Sequence, residues 1–301
     1  MTRNRTAAAL CLYLLMCLSG RSQASWTLPD TIDNGDFAAS SPAIAADQMT
    51  NGAMAVFVQH DGSINRVYAA RYNPVTGWEV PVAISPAGQI SADPCIVGIG
   101  GDEYIAAFIS ENSSLDRVYT ARYTSGSWGP ASLRDNAGYA SNSPRLAAAG
   151  SNAMLVWAQQ DATGYARIYS MRYTAGWNAI EGPHNPTYTG GNYQNCSEPA
   201  VALSSSGAAV IAYSLFEGSA TNRLIGRFYN GATWETDTRL DTLTSLSPAN
   251  SPAAAINGNN AGMIIFNQNS RVYWRSFSGA TWGSFPNELA STGSININLT
   301  L

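Results

Sequence analysis

One segment recurs five times along this chain. Arg66-Val67-Tyr68-Ala69-Ala70-Arg71-Tyr72 leads to Trp78, and Arg117-Val118-Tyr119-Thr120-Ala121-Arg122-Tyr123 leads to Trp128. Arg167-Ile168-Tyr169-Ser170-Met171-Arg172-Tyr173 leads to Trp177, Arg223 to Tyr229 leads to Trp234, and Arg271 to Phe277 leads to Trp282. A proline keeps the same beat at Pro42, Pro94, Pro144, Pro199 and Pro252, with separations of 52, 50, 55 and 53 residues. A repeat of that length built from short strands is the mark of a propeller blade. The chain is therefore expected to be an all-β propeller of five blades, each of four antiparallel strands, with six blades as the alternative.

The second unit shows how a blade is written. Pro94 to Ile99 is a short apolar strand that starts on a proline, where the missing N–H does least harm. After a turn at Gly100 to Glu103, Tyr104 to Ile109 is almost wholly apolar, as a strand buried on both faces must be. A polar loop leads to the alternating strand Arg117–Tyr123, and a turn at Thr124 to Ser127 delivers Trp128 to an outer, more polar strand. The ends leave ring closure open. Trp26 to Asp30 reads as an outer strand before the first unit, and residues 294–301 alternate cleanly, although the fifth unit already owns a Trp282 strand. Either Trp26 displaces that strand, or the two termini build an incomplete sixth blade.

The first 24 residues read as an export signal. Arg3 and Arg5 precede an apolar run from Ala7 to Leu18, and Ser22-Gln23-Ala24 supplies small residues for cleavage before Ser25. A secreted or periplasmic protein is expected, with residues 25–301 as a single propeller domain and a lipid anchor at Cys17 as the less favoured reading. No other stretch is long and apolar enough to span a bilayer. The chain has no lysine, and three of its 16 basic residues but none of its 20 acids fall in the signal, so residues 25–301 carry about −7 (13 − 20). That sign argues against a nucleic-acid partner. Cys95 and Cys196 are the cysteines outside the signal, and export permits a bridge between them that the sequence leaves undecided.

The hairpins before the tryptophans carry a family resemblance. Ser276-Phe277-Ser278-Gly279-Ala280-Thr281-Trp282 and Phe228-Tyr229-Asn230-Gly231-Ala232-Thr233-Trp234 resemble the Asp-box hairpin of sialidase-type propellers, with weaker echoes at Trp128 and Trp78. Asn230 and Ser278 stand where that box has its aspartate. The resemblance implies a fold of this type, because the box is structural and lies away from the family's active site. It does not imply sialidase activity, which needs three arginines converging at the funnel. Ten of the 13 arginines beyond the signal lie inside the repeated segment, and of the others only Arg145 follows a blade-start proline. The repeated arginines are expected to be structural, lying over rings and pairing with loop carboxylates.

Two features point to chemistry. The residues before the five prolines are Ser41, Asp93, Ser143, Glu198 and Ser251. Asp93 and Glu198 would sit at the starts of inner strands, around the axis. A pair of carboxylates there suits glycosidic hydrolysis, whereas caps of the same turn would be the structural reading. The second feature is the connection from Trp177 to Pro199, six residues longer than its counterparts in the first two units, which brings His184, Tyr188, Tyr193 and Asn195, while Tyr139 holds a similar place one unit earlier. Inserted loops on one face of a repeat protein commonly bind ligands. No metal-ligand spacing or cofactor motif is present, so neither a metal nor a cofactor is expected. The preferred reading is a non-catalytic, lectin-like or protein-binding propeller acting through Tyr139, His184, Tyr188, Tyr193 and Asn195 on a carbohydrate or a cell-surface protein. Its alternative is a glycoside hydrolase using Asp93 and Glu198.

Overall fold

A computed structural model describes residues 29–35, 37–47, 50–185, 195–216, 222–241, 248–284 and 286–290. The chain divides into Met1–Thr31 and Ile32–Leu301, and every strand belongs to the second unit. The expected signal, Trp26 and residues 294–301 lie outside the described residues.

The described residues form five antiparallel sheets and no helix. Blade 1 runs Ala39–Asp47, Gly52–His60 and Asn65–Asn73, followed by Gly77–Trp78 and Val82–Ala83, which both pair with the third strand. Blade 2 repeats this with Ser91–Gly100, Glu103–Asn112, Leu115–Thr124, Ser127–Trp128 and Ser132–Leu133. Blade 3 is Ser141–Ala149, Asn152–Gln160, Ala166–Thr174 and Trp177–Glu181. Blade 4 is Cys196–Leu203, Ala209–Phe216, Asn222–Tyr229 and Thr238–Arg239. Blade 5 is Ala249–Ile256, Ala261–Gln268, Arg271–Ser278, Thr281–Trp282 and Asn287–Ala290. The fifth sheet thus has its own outer strand, as the Trp282 segment suggests, and the five-bladed reading holds.

The second strand of each blade is the keel of the core. Phe57, Phe108, Trp157, Tyr213 and Phe266 are all buried at equivalent places. Four of them stack on the tyrosine opposite in the third strand, at centroid separations of 5.9–6.3 Å; in blade 4 the partner of Tyr213 is Ile225 instead. Each such side chain contributes about 1.5–3 kcal/mol by burial. The hairpin tryptophans lean on the last ring of the third strand, as in Tyr72–Trp78 and Phe277–Trp282. Asn230 does the work of the Asp-box aspartate: its Oδ1 accepts from the backbone of Ala232 and Thr233, both at 2.9 Å.

Apolar clusters join blade 1 to 2, 2 to 3, 3 to 4 and 4 to 5. Among the described residues none joins blade 5 to blade 1. There Ile44 is 64% and Met263 43% exposed.

The repeated arginines divide into two kinds. The first of each segment ties its own blade together. Arg117 lies against Asp135, whose buried carboxylate also accepts from Val118 N and Ser141 Oγ. Arg223 and Arg239 share Asp241 in the same way, and in blade 1 Ser85 takes the place of the acid. The second arginine links blades. Arg71 pairs with Asp102 of blade 2, Arg122 lies over Tyr173 of blade 3, and Arg172 over Tyr229 of blade 4 at 4.8 Å. Arg227 instead donates to His184 O on the outer edge of blade 3, and Arg275 to Arg239 O of blade 4.

Candidate active site in the central funnel

The inner strands surround a funnel with a cavity volume of about 470 Å³, walled by Pro42–Ile44, Cys95–Ile96, Arg145–Leu146, Pro199–Val201 and Pro252–Ala254. All five blades contribute the same stretch. The five residues ahead of the prolines share a backbone conformation that side chains resist: φ is +51° at Ser41, +49° at Asp93, +53° at Ser143, +51° at Glu198 and +50° at Ser251. Pairing with the second strand slips at each of these points, for example between Ala92 and Cys95 and between Ser197 and Ala200. Each is a bulge, and such a left-handed residue is usually glycine. Here none is glycine, although each costs on the order of 1–3 kcal/mol in strain. The bulge bends the strand at the mouth of the funnel, and the proline after it supplies no N–H that would go unpaired.

The two acids among the five reach to the next blade. Asp93 takes Arg145 Nη1 on both oxygens, at 3.2 and 3.3 Å. Arg145 is the one charged residue of the funnel wall among the described residues, and its Nη1 also donates to Pro144 O. Glu198 accepts from Ser251 N at 2.7 Å and from Ser214 Oγ at 3.4 Å, both through Oε2. Its Oε1 takes no hydrogen bond among the described residues. Two carboxylates thus stand at equivalent points of the same mouth, on blades 2 and 4 with blade 3 between them. Cys95 adds no nucleophile, because burial pushes its thiol up to about 12 and its Sγ faces Pro144 O. Cys95 and Cys196 are both free thiols.

The residues expected on the binding rim fare differently. Tyr139 is half-exposed, and its carbonyl is held by the buried amide of Gln159. Asn195 is exposed, with its Oδ1 accepting from Ala166 N. His184 does not reach the rim. It is 2% exposed between blades 3 and 4, against Trp234 at 4.3 Å, with Nε2 on Ser170 Oγ and its carbonyl on Tyr213 Oη. Burial and Arg227 lower its pKa to about 3. Tyr188 and Tyr193 lie outside the described residues. No group of metal-ligating side chains occurs among the described residues.

Some functional and supporting residues escaped sequence reasoning. Gln59 and Gln159 are fully buried and hold the carbonyls of Phe37 and Tyr139, so they fix the segments entering blades 1 and 3. The signal was there: Gln59, Gln159 and Gln268 each stand two residues after the buried ring of a second strand. Ser85, Asp135 and Asp241 likewise follow the outer strand at matching places, as does Asn185.

No protein family matches this chain, and no curated protein matches it. Solved structures do. An alpha-L-arabinanase of Penicillium chrysogenum in complex with arabinobiose superposes with a TM-score of 0.54 at 15% identity, covering 88% of this chain and 86% of that one. The GH93 alpha-L-arabinofuranosidase of Fusarium graminearum with arabinobiose gives 0.53 at 11% identity, covering 87% and 85%. An ulvan lyase gives 0.55 at 9% identity, covering 82% and 68%. These likenesses establish the propeller fold. They also overturn the expectation of a non-catalytic binding module and a non-enzyme: these neighbours are carbohydrate-cleaving enzymes, and they favour the glycoside hydrolase reading given as its alternative.

Proposed function

We propose that this chain is a secreted glycoside hydrolase whose active site is the mouth of the central funnel. The observation that carries the reading is the placement of two carboxylates, Asp93 and Glu198, at equivalent points of the mouth of a funnel shared by all five blades, where the other three blades carry serine.

Hydrolysis of a glycosidic bond needs one carboxyl group to protonate the departing oxygen and a second to activate water or attack the anomeric carbon. Asp93 and Glu198 would share these roles. Arg145 would orient Asp93, and Ser251 N and Ser214 Oγ would orient Glu198. The apolar wall below would accept the C–H face of a sugar. The neighbours bound to arabinobiose make a neutral arabinan-like glycan the first substrate to try, and the net negative charge of residues 25–301 disfavours polyanions. Tyr139 and Asn195 are proposed to contact the glycan beyond the bond that is cut, with Tyr188 and Tyr193 as further contacts. Residues 1–24 would be removed on export, leaving one propeller domain. No helix among the described residues is long and apolar enough to cross a membrane.

The test is release of reducing sugar from a panel of neutral polysaccharides that includes arabinan. Glu198→Gln and Asp93→Asn should each lower kcat by about 10²–10⁴-fold while the protein stays folded, the range expected for a lost acid or base. Full activity in both variants would refute the assignment.

A further inference from the structure

The residue five positions ahead of each blade-start proline enters the blade above the funnel mouth. It is Phe37 in blade 1, Gln89 in blade 2 and Tyr139 in blade 3. Gln194 and Ser247 hold the place in blades 4 and 5 and lie outside the described residues. At this position the sequence therefore has rings in blades 1 and 3 alone, on either side of the blade that carries Asp93. Four residues along the chain separate each ring from the bulge of its own blade, which keeps it within about 14 Å of that bulge. Phe37 is 44% and Tyr139 36% exposed. Single exposed rings are ordinary on a protein surface. These two share a place in the repeat and are fixed from the core in the same way. The buried amides of Gln59 and Gln159 donate through Nε2 to Phe37 O at 2.9 Å and to Tyr139 O at 3.3 Å. Gln159 Nε2 also donates to Asn136 O at 2.7 Å, and its Oε1 accepts from Asn136 N and Nδ2, both at 3.1 Å. Moving either segment would strand a buried amide without partners, which is costly.

Phe37 is backed on one side. His60 packs against it at 5.4 Å between ring centroids, and a Cβ at Gly62 would lie 3.5 Å from Phe37 Cζ. The turn of blade 1 thus supports the ring and leaves part of it to solvent. In blade 2, Ser110 stands at the place of Gln59 and Gln159, and its hydroxyl donates to Gln89 Oε1 at 3.0 Å. Gln89 Nε2 and Tyr139 Oη make no hydrogen bond among the described residues. Gln89 opens onto a cavity of about 310 Å³ that it shares with Ile64 of blade 1 and with Ile90, itself 51% exposed. In ring order, an apolar cavity with an oriented amide donor therefore falls between the two rings. A sugar lays its C–H face on a ring and needs directed partners for its hydroxyls, and this stretch of rim offers both.

We propose that Phe37 and Tyr139 are sugar-stacking platforms on the two sides of Asp93, with the Gln89 amide holding a hydroxyl between them, so that a glycan lies across blades 1 to 3. The proposal rests on the funnel mouth as the active site and adds the path of the glycan over the rim.

Arabino-oligosaccharides of two to six units are titrated calorimetrically into the Glu198→Gln protein and into the same protein carrying Phe37→Ala, Tyr139→Ala or both. Each substitution should raise Kd for the hexamer about tenfold, and the two losses should multiply, because the rings lie on separate blades and share no partner. The dimer is too short to span three blades, so the double variant should weaken it no more than the worse single variant does. Phe37→Trp and Tyr139→Phe keep a stacking face and should stay within about threefold of the parent. Thermal denaturation checks each variant first, and Phe37→Leu or Tyr139→Leu replaces an alanine variant that melts early. Cleavage of arabinan by the native protein is followed alongside. Ring-dependent binding together with cleavage is the result expected. Ring-dependent binding without cleavage would keep the platforms and reject the hydrolase. Cleavage with hexamer affinity unchanged in the double variant would overturn the platforms and leave the hydrolase. Absence of both binding and cleavage would overturn both.

Discussion

Blades 1 to 3 and blades 4 and 5 use one repeated segment in two ways. In the first three, the second arginine falls five residues after the first; in the last two it falls four after. Strand side chains alternate between faces, so the one-residue slip turns the guanidinium from one face to the other. Arg71, Arg122 and Arg172 accordingly reach forward to the next blade, whereas Arg227 and Arg275 reach back to the previous one. The consequence is uneven. The junction of blades 3 and 4 receives two arginines, and the junction of blades 5 and 1 receives none. That last junction is also the one without an apolar cluster among the described residues, and its first inner proline, Pro42, is exposed while the other four are buried. A repeat can keep its length while the shift of one arginine by a single position redirects its cross-links away from the seam.

If that comparison is right, the first arginines should be indifferent to it. Asp135→Ala in blade 2 and Asp241→Ala in blade 4 each strip a buried guanidinium of its carboxylate, and each should cost about 3–5 kcal/mol in denaturant unfolding. A large loss in one blade and none in the other would break the division of labour between the two arginines.

The next effect is specific to the backward-reaching set. His184 supplies the carbonyl that Arg227 binds, and its imidazole is buried and neutral, with its pKa lowered to about 3 from the usual 6.5. The unfolded chain binds that proton first as pH falls. Stability from this group is therefore complete above pH 6.5 and drains away as pH drops toward 3, by up to about 1.4 kcal/mol per pH unit. In His184→Gln the slope of unfolding free energy between pH 6 and 4 should flatten. An unchanged slope would place the titration elsewhere.

A smaller effect sharpens the direction of reach. A double-mutant cycle between Arg172 and Tyr229 should give about 1 kcal/mol of coupling across the blade 3–4 junction. The cycle between Arg172 and Tyr169, on its own strand, should give none. Smallest is the seam itself. Ser41→Gly relieves a left-handed residue whose side chain makes no hydrogen bond among the described residues, and should raise stability by about 0.5–1 kcal/mol. Thermal denaturation would show it as a rise in Tm of a few degrees, and a fall would mean that the serine is needed there.

The blades were legible because their signals are local and periodic. The wholly apolar second strands, the alternating third strands and the Trp hairpins recur at matching places in every repeat, and buried rings such as Phe108 and Phe266 sit where that recurrence puts them. The arginine slip was legible too, as a change of face, but not its direction, because which blade lies on which face depends on the handedness of the whole ring. The site was half legible. Asp93 and Glu198 stand out by their place before the prolines, yet nothing local announces the left-handed backbone beneath them or the partner of each in the next blade, Arg145 and Ser251. His184 misled because a long connection suggests exposure, while its first residues still continue the outer edge of blade 3, with His184 N bonded to Ile168 O. The choice between binding and catalysis was not legible at all, since a carboxylate that caps a turn and one that cuts a glycan look the same in sequence.

The account rests on the funnel mouth being where a glycan is held. A crystal structure of the Glu198→Gln protein soaked with an arabino-oligosaccharide tests this most directly. The sugar is expected over Pro94 and Pro199, between Asp93 and residue 198. Sugar bound on the face of the Trp78 and Trp128 hairpins, with the funnel mouth empty, would contradict it.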